Sequence, residues 1–273
     1  MKVMWDKMAR PQIDEYDSFV TLQLAAINMR KNGSNSNITS SQIYFADNSV
    51  EIGYITENAP GTPFNINAQL KMHDNIISAE NYLRNWKTGF NQFKRIINTF
   101  HPMTSPKLQE CEFGLGLGSS SHSLQNTFGK MYATIYDPLG LAQAFVHELA
   151  HNKLRALGIN NDRAKDFILN SDQELYFSPV VNTDRPLPAI LHATYSFTYV
   201  LALDIAILNH SNCESTNRII SKLLQKNSSI VSYGLNTLKA NLNLTEIGYE
   251  FLEGFYSWAN ELLSITERHI GEL

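Results

Sequence analysis

The chain has little cysteine, a net charge of only −4 and no apolar run as long as a membrane span. Cys111 and Cys213 are the two cysteines among 273 residues and form no CxxC pair, so a disulfide framework is excluded. The 22 basic and 26 acidic residues are interspersed, without the basic stripe of a nucleic-acid-binding protein. The richest apolar stretch, Phe197 to Leu208, has about the length of a buried core helix. No signal-peptide-like apolar run opens the chain. We therefore expect a cytoplasmic protein that binds neither nucleic acid nor membrane.

Hydrophobic periodicity predicts a mainly helical fold. Residues 13–30, 66–100 and 189–208 show helical spacing, and two or more helices follow residue 208. The 189–208 segment is apolar on nearly all sides, which favours a buried helix. Residues 42–55 resemble a hairpin around Asp47-Asn48, and 129–136 alternate as a strand does. The expected fold class is α+β, predominantly helical, with a small sheet flanking the helix that follows residue 136.

A metal-binding pattern lies on that helix. Residues 147–151 read His-Glu-Leu-Ala-His, and a spacing of four places His147 and His151 on one helical face, within reach of a single ion. Glu148 can lie beside a water or second ligand on that ion. Asp137-Pro138 supplies a helix start and Gly158 a stop. We expect one domain over 1–273, with N-terminal helices and a hairpin in 1–128, the metal-site core in 129–208 and C-terminal helices in 209–273.

Two histidines hold a metal weakly, so a third protein ligand is expected. His192 lies on the apolar helix, where a buried ionisable side chain needs a partner. Glu174 is the alternative, because it follows His151 at a spacing that many zinc peptidases use for a glutamate ligand. Leu157 occupies the position of the third metzincin histidine, which excludes that class. The glycine run in 114–123 fits no phosphate-binding motif and is expected to be a structural loop.

The segment 176–200 adds a resemblance. His147, Glu148 and His151 are followed by Ser178-Pro179, Arg185-Pro186 and His192, the last with Tyr195 and Phe197 beyond it. In this order the motifs resemble the HEXXH-motif peptide-modification proteins, which are regarded as 2-oxoglutarate-dependent peptide β-hydroxylases. The resemblance covers about the central quarter of the chain. Val180-Val181 stand where the family commonly has Trp-Arg, so the anion-binding role passes to Arg185.

The resemblance implies a mononuclear Fe(II) held by His147, His151 and His192, with 2-oxoglutarate and O2 as cosubstrates. Arg185 has the fork that pairs with a carboxylate and would bind the distal end of 2-oxoglutarate. Tyr195 and Tyr199 lie on the helical face of His192, where they could donate hydrogen bonds into the same cavity or be core aromatics. Glu148 would orient a ligand or a metal-bound water, or take a metal position itself.

Three functions are compatible with these residues. The first is β-hydroxylation of a residue in a ribosomally synthesised precursor peptide. The second is a zinc metallopeptidase or amidase with Glu148 as general base, which predicts a carboxylate ligand such as Glu174. The third is a catalytically silent protein that binds a leader peptide along the strands of 42–55.

Overall fold

The computed structural model describes residues 2–32, 43–53, 56–57, 66–104, 118–124 and 127–271. The proline- and glycine-containing stretch 58–63, whose composition predicts a loop, lies outside these ranges, as do residues 33–37 of the polar stretch 31–37, for which a loop is also predicted. Within them the helices are α1 (Trp5–Met8), α2 (Tyr16–Asn32), α3 (Ile66–Arg84), α4 (Lys87–Ile96), α5 (Pro138–Ala156), α6 (Leu187–His210), α7 (Glu214–Asn241) and α8 (Glu246–Gly271). The strands are β1 (Tyr44–Phe45), β2 (Val50–Ile52), β3 (Thr56–Glu57), β4 (Thr99–Thr104), β5 (Ser121–His122), β6 (Lys130–Thr134), β7 (Leu175–Ser178) and β8 (Thr183–Pro186).

These elements confirm the α+β, predominantly helical class. Six strands form a mixed sheet in the order β1-β2-β4-β6-β5, with β3 pairing β4. β4 runs parallel to β2, β3 and β6, whereas β1 and β5 are antiparallel to their neighbours. β7 and β8 form a separate antiparallel hairpin directly before α6. The predicted hairpin of 42–55 is confirmed by β1 and β2, whose turn includes Asp47 and Asn48 in the left-handed region.

The region 66–100 differs from the single helical stretch that its periodicity predicted. It forms two helices, α3 and α4, and then the strand β4 begins at Thr99. Phe100 points into the core while His101 stacks on Tyr132 of β6, the alternation that a strand imposes. The sequence of residues 99–100 taken alone resembles the end of a helix, but parallel pairing of β4 with both β2 and β6 makes these residues a strand.

The strand β6 leads directly into α5, the helix that carries the HExxH motif. Asp137 caps its start, because its Oδ1 accepts a hydrogen bond from Leu139 N at 3.0 Å, and Pro138 occupies the first helical position. Gly158 follows the end with φ +91°, a conformation that glycine adopts without strain. Both predicted boundaries of this helix are thus confirmed.

Aromatic packing fixes α5 against the sheet. The Phe145 ring lies 5.4 Å from that of Phe45, 5.1 Å from that of Phe93 and 5.2 Å from that of Phe100, between ring centroids. Such pairs are stabilising beyond the apolar area they bury. The face of α5 that carries Phe145 is thereby held on the sheet.

Helix α6 forms the centre of the helical layer and packs on α5, α7 and α8. Among the described residues, α6 is the one helix that is long enough and apolar enough to cross a membrane. However, 83% of its most apolar 18-residue window is buried inside the protein. That burial is typical of the core helix of a soluble protein. The buried helix predicted over 189–208 is confirmed.

Candidate metal centre

Helix α5 is buried except for one stripe. After Pro138, its partly accessible residues are Gln143, His147, His151 and Arg155, spaced by four, and every other residue up to Ala156 is buried. A spacing of four places side chains above one another on one helical face. The HExxH motif therefore presents both histidines along the accessible line of an otherwise enclosed helix.

A matching stripe lies on α6. Its partly accessible residues in the first three turns are Ala189, Ala193 and Phe197, and the Phe197 ring lies 5.4 Å from that of His147. Since His147 contacts Phe197 and His151 contacts His192, the two helices run antiparallel. The small side chains of the α6 stripe thus lie on the side of His151 and Arg155. We call the space between these stripes the histidine cleft.

His147 and His151 fit one metal ion. Their Nε2 atoms lie 3.0 Å apart, and their rings are nearly perpendicular at 79°. Two imidazole nitrogens that each bind an ion at about 2.1 Å have a separation of this order. Burial lowers the pKa of both histidines, so both imidazoles are neutral at pH 7, which is the form that binds metal. The prediction of a metal-binding pair is consistent with this geometry.

His192 adds a third imidazole, in contact with His151. Its Nδ1 lies 2.9 Å from Nδ1 of His151, and its side chain is 1% exposed. Its Nε2 lies 2.8 Å from the carbonyl oxygen of Ile159, which only accepts, so Nε2 carries the proton and donates it. Burial lowers the pKa of His192 to about 3, which keeps the ring neutral. Nδ1 is therefore unprotonated and accepts a hydrogen bond from Nδ1 of His151, the ring nitrogen other than the Nε2 that faces His147.

Glu148 is held beside the histidines by two serines. Ser121 Oγ donates to Oε1 at 2.8 Å and Ser123 Oγ to Oε2 at 2.5 Å, and the side chain is 2% exposed. Among the described residues, His147, Glu148 and His151 form the group whose ligand atoms all lie within 4.8 Å of one another, and His192 is not part of this group. Glu148 thus adds a fixed negative charge to the cluster.

The serines come from the end of the glycine run in 114–123. Gly118 N donates to Asp137 Oδ2 at 2.8 Å, and a Cβ on Gly140 would lie 2.5 Å from the Gly118 backbone. Only glycine at position 140 lets the described part of this loop pack so closely on α5. The segment that was expected to be purely structural therefore also places Ser121 and Ser123 on Glu148. Sequence reasoning missed these contacts, and the cluster of serines beside the glycines was the available signal.

Glu174 and Arg185 lie on the β7–β8 side of the molecule, and both are exposed. Glu174 Oε2 accepts hydrogen bonds from Asn170 Nδ2 and Tyr176 Oη, each at 3.2 Å. Arg185 pairs with Tyr176 in the register of the hairpin. Among the residues that the structure describes, the hydrogen bonds of the histidine cluster include neither Glu174 nor Arg185. Of the two candidate third ligands, His192 contacts His151 and Glu174 is exposed.

Tyr195 and Tyr199 share the buried helix with His192, but their hydroxyls bond elsewhere. The two hydroxyl oxygens lie 3.3 Å apart, and Tyr199 Oη accepts from Lys153 Nζ at 3.2 Å. Lys153 in turn pairs with Asp17 of α2. Burial raises the pKa of both tyrosines, so both remain protonated. In this structure their hydroxyls belong to a buried network between α2, α5 and α6.

Comparison with known proteins assigns no family. No protein-family model matches the chain, and no curated protein matches it. A function is therefore proposed below from the geometry of the histidine cluster and the order of the motifs in the sequence.

Proposed function

We propose that this protein is a non-haem Fe(II)- and 2-oxoglutarate-dependent oxygenase that β-hydroxylates a residue of a ribosomally synthesised precursor peptide. The observation that supports this proposal is the group that contacts Nδ1 of His151, while Nε2 of the same ring faces His147. That group is the imidazole of His192, with its unprotonated Nδ1 at 2.9 Å from His151, whereas Glu174 is exposed. Three imidazoles suit iron as well as zinc, and the choice of iron follows the resemblance.

His147 and His151 would hold the iron through their facing Nε2 atoms, and His192 is the proposed third ligand, which requires its Nδ1 to turn from His151 to the ion. Their burial keeps them neutral, and the carbonyl of Ile159 fixes the orientation of the His192 ring. When bound, the iron would supply the oxidative chemistry, in which O2 converts 2-oxoglutarate to succinate and CO2 and hydroxylates a C–H bond of the substrate. One oxygen atom of O2 ends in succinate and the other in the new hydroxyl group. The protein contributes the position of the reactants and the exclusion of water.

Glu148 would act as an orienting group. Both of its carboxylate oxygens accept a serine hydroxyl, which fixes the carboxylate beside His147 and His151. A fixed negative charge there favours a bound cation and accepts a hydrogen bond from a ligand of that cation. Phe197 covers one side of His147 and limits the access of water to it.

The substrate class follows from the resemblance, and the cleft is compatible with it. Ala189 and Ala193 are small and partly accessible on the α6 stripe beside the histidines, where a substrate side chain would lie. A precursor peptide made by ribosomes is present in the cytoplasm, which is the location we propose for the protein. The proposed cosubstrates are 2-oxoglutarate and O2.

A zinc metallopeptidase or amidase is the second proposal, and the place of Glu148 favours it. A carboxylate whose oxygen lies within 4.8 Å of both histidine nitrogens can accept a proton from a zinc-bound water. In that case His192 would replace the carboxylate ligand that many such enzymes use.

One titration separates the two proposals. Purified apoprotein is loaded with Fe(II) without oxygen and titrated with 2-oxoglutarate while the visible spectrum is recorded. The oxygenase proposal predicts a weak, saturable charge-transfer band that disappears when O2 is admitted, with formation of succinate. The oxygenase proposal would be replaced by the metallopeptidase proposal if the band is absent and the protein instead retains zinc tightly and hydrolyses a peptide or amide.

A further inference from the structure

Arg155 is the charged residue of the accessible stripe on α5. It follows His151 by four residues and Glu148 by seven, so it lies on the helical face of the metal-binding motif. The rise of a helix places its Cα about 6 Å beyond that of His151 along the axis. Ala189 and Ala193 lie on the same side of the cleft. A cation is thus held at the end of the space that the histidines line.

The hydrogen bond described for this guanidinium is to a neutral group. Arg155 Nη1 donates to Ser123 Oγ at 2.7 Å, and Ser123 in turn donates to Glu148 at 2.5 Å. Arg155 is therefore linked to Glu148 through a hydroxyl and not by a direct ion pair among the described residues. Arginine has five N–H donors, and Ser123 accepts one of them.

The charge of Arg155 is poorly compensated and acts on the histidine cluster. Burial lowers the pKa of the guanidinium, and the Glu148 charge only partly opposes this. Burial also lowers the pKa of His151 and of His192, and the Arg155 charge lowers both further. Half-buried arginine beside an accessible cleft is well suited to a carboxylate, which its planar fork binds through two parallel hydrogen bonds.

We propose that Arg155, held in place by Ser123, binds the free carboxylate of the 2-oxo diacid used at the histidine cluster, an inference that rests on the oxygenase function proposed above. The diacid would span the cleft, with its keto-acid end at the histidines and its other carboxylate at Arg155. This assigns to Arg155 the role that the sequence assigned to Arg185. Arg185 is exposed on β8, where water screens its charge, whereas Arg155 lies on the helix of the metal ligands.

The test compares two keto acids of equal length. Fe(II)-loaded protein is titrated without oxygen, by calorimetry and by the visible spectrum, with 2-oxoglutarate and with 2-oxopentanoate, which lacks the distal carboxylate. We expect the wild type to prefer 2-oxoglutarate. Arg155→Met should weaken 2-oxoglutarate binding by about 10- to 100-fold, the range for a lost charge-assisted hydrogen bond, with little change for 2-oxopentanoate. Arg163→Met, at an exposed arginine, is the matched control.

Each outcome decides one of the proposals. A wild type that binds iron but neither keto acid overturns the oxygenase function and this inference with it. If Arg155→Met still prefers 2-oxoglutarate to 2-oxopentanoate as the wild type does, the role of Arg155 alone is overturned. The same conclusion follows if the preference is lost in Arg185→Met and kept in Arg155→Met. Arg155→Gln keeps a hydrogen-bond donor for Ser123. If Arg155→Met does not fold, the ratio of the affinities of Arg155→Gln for the two keto acids tests the role of Arg155 instead. Iron content is measured for each variant, because a purely structural role would reduce metal binding without changing the ratio of the two affinities.

Discussion

Lys153 Nζ and Asp17 Oδ2 lie 2.8 Å apart, and neither side chain is exposed to solvent. Lys153 is two residues beyond His151 on α5, and Asp17 lies on α2. The pair therefore fixes the HExxH helix to the N-terminal part of the chain. Asp17 also accepts hydrogen bonds from Gln12 N and from Gln92 Nε2, which leaves the carboxylate fully surrounded by donors.

Asp17→Asn should destabilise the fold strongly. It removes the partner of a buried ammonium group, and breaking a buried ion pair from one side typically lowers the free energy of unfolding by about 3–5 kcal/mol. Urea denaturation followed by circular dichroism measures this change. The control is Glu261→Gln, which removes the exposed ion pair with Arg10 and should leave the midpoint nearly unchanged. If the two substitutions lower the free energy of unfolding equally, the buried pair contributes no more to stability than the exposed one.

Metal binding should depend on His192 and not on Glu174. We expect His192→Ala to weaken Fe(II) binding by more than about 100-fold, beyond the roughly 10- to 100-fold effect of residues that only support a ligand. Glu174→Ala should retain the wild-type affinity, since Glu174 is exposed and bonds to Asn170 and Tyr176. Anaerobic titration with Fe(II) measures both constants. The reverse pattern, with metal lost only in Glu174→Ala, would support a peptidase-type ligand set.

Ser123→Ala should weaken the metal site without removing a ligand. The substitution deprives the buried Glu148 carboxylate of one donor and Arg155 of its described acceptor. We expect the Fe(II) dissociation constant to rise by about 10-fold, as for other supporting residues. Ser123→Thr retains the hydroxyl and should remain close to wild type. If alanine and threonine at this position behave alike, the hydroxyl does not hold Glu148 in solution.

The buried carboxyl of Asp204 should make stability depend on pH. Burial raises the pKa of Asp204 to about 7, although hydrogen bonds from Gln143 at 2.7 Å and Asn227 at 2.8 Å oppose the shift. The unfolded chain loses this proton near pH 4 and the folded chain near pH 7. Over this window the unfolded state binds fewer protons, so the Asp204 contribution to the free energy of unfolding falls as pH rises, and it is constant above about pH 7.

Asp204→Asn should remove this dependence. The unfolding free energy of the variant relative to wild type is expected to increase between about pH 4 and pH 7, by at most about 4 kcal/mol for a shift of this size. Urea denaturation of apoprotein at pH 4.5, 6 and 7.5 measures the difference. Asp172→Asn, at an exposed position, is the control and should show no trend. A difference that does not vary with pH would contradict the raised pKa.

Much of the fold could be predicted because its signals are local. The boundaries of α5 follow from Asp137, Pro138 and Gly158, whose caps and backbone preferences act within a few residues. The burial of α6 follows from its apolar composition. The strand β4 could not be predicted, because its conformation depends on β2 and β6, which pair with it from distant parts of the sequence.

The sequence by itself determined that His147 and His151 can share one ion, since a spacing of four on a helix fixes their relation. Only the tertiary structure decided which other groups join them. It brings His192 to the cluster and leaves Glu174 and Arg185 exposed, because the packing of α6 on α5 is set by buried side chains across both helices. It also brings Ser121 and Ser123 to Glu148, through a close backbone contact at Gly140 that no residue spacing encodes. Contacts within a helix follow from its repeat, whereas contacts between elements follow from how their surfaces pack.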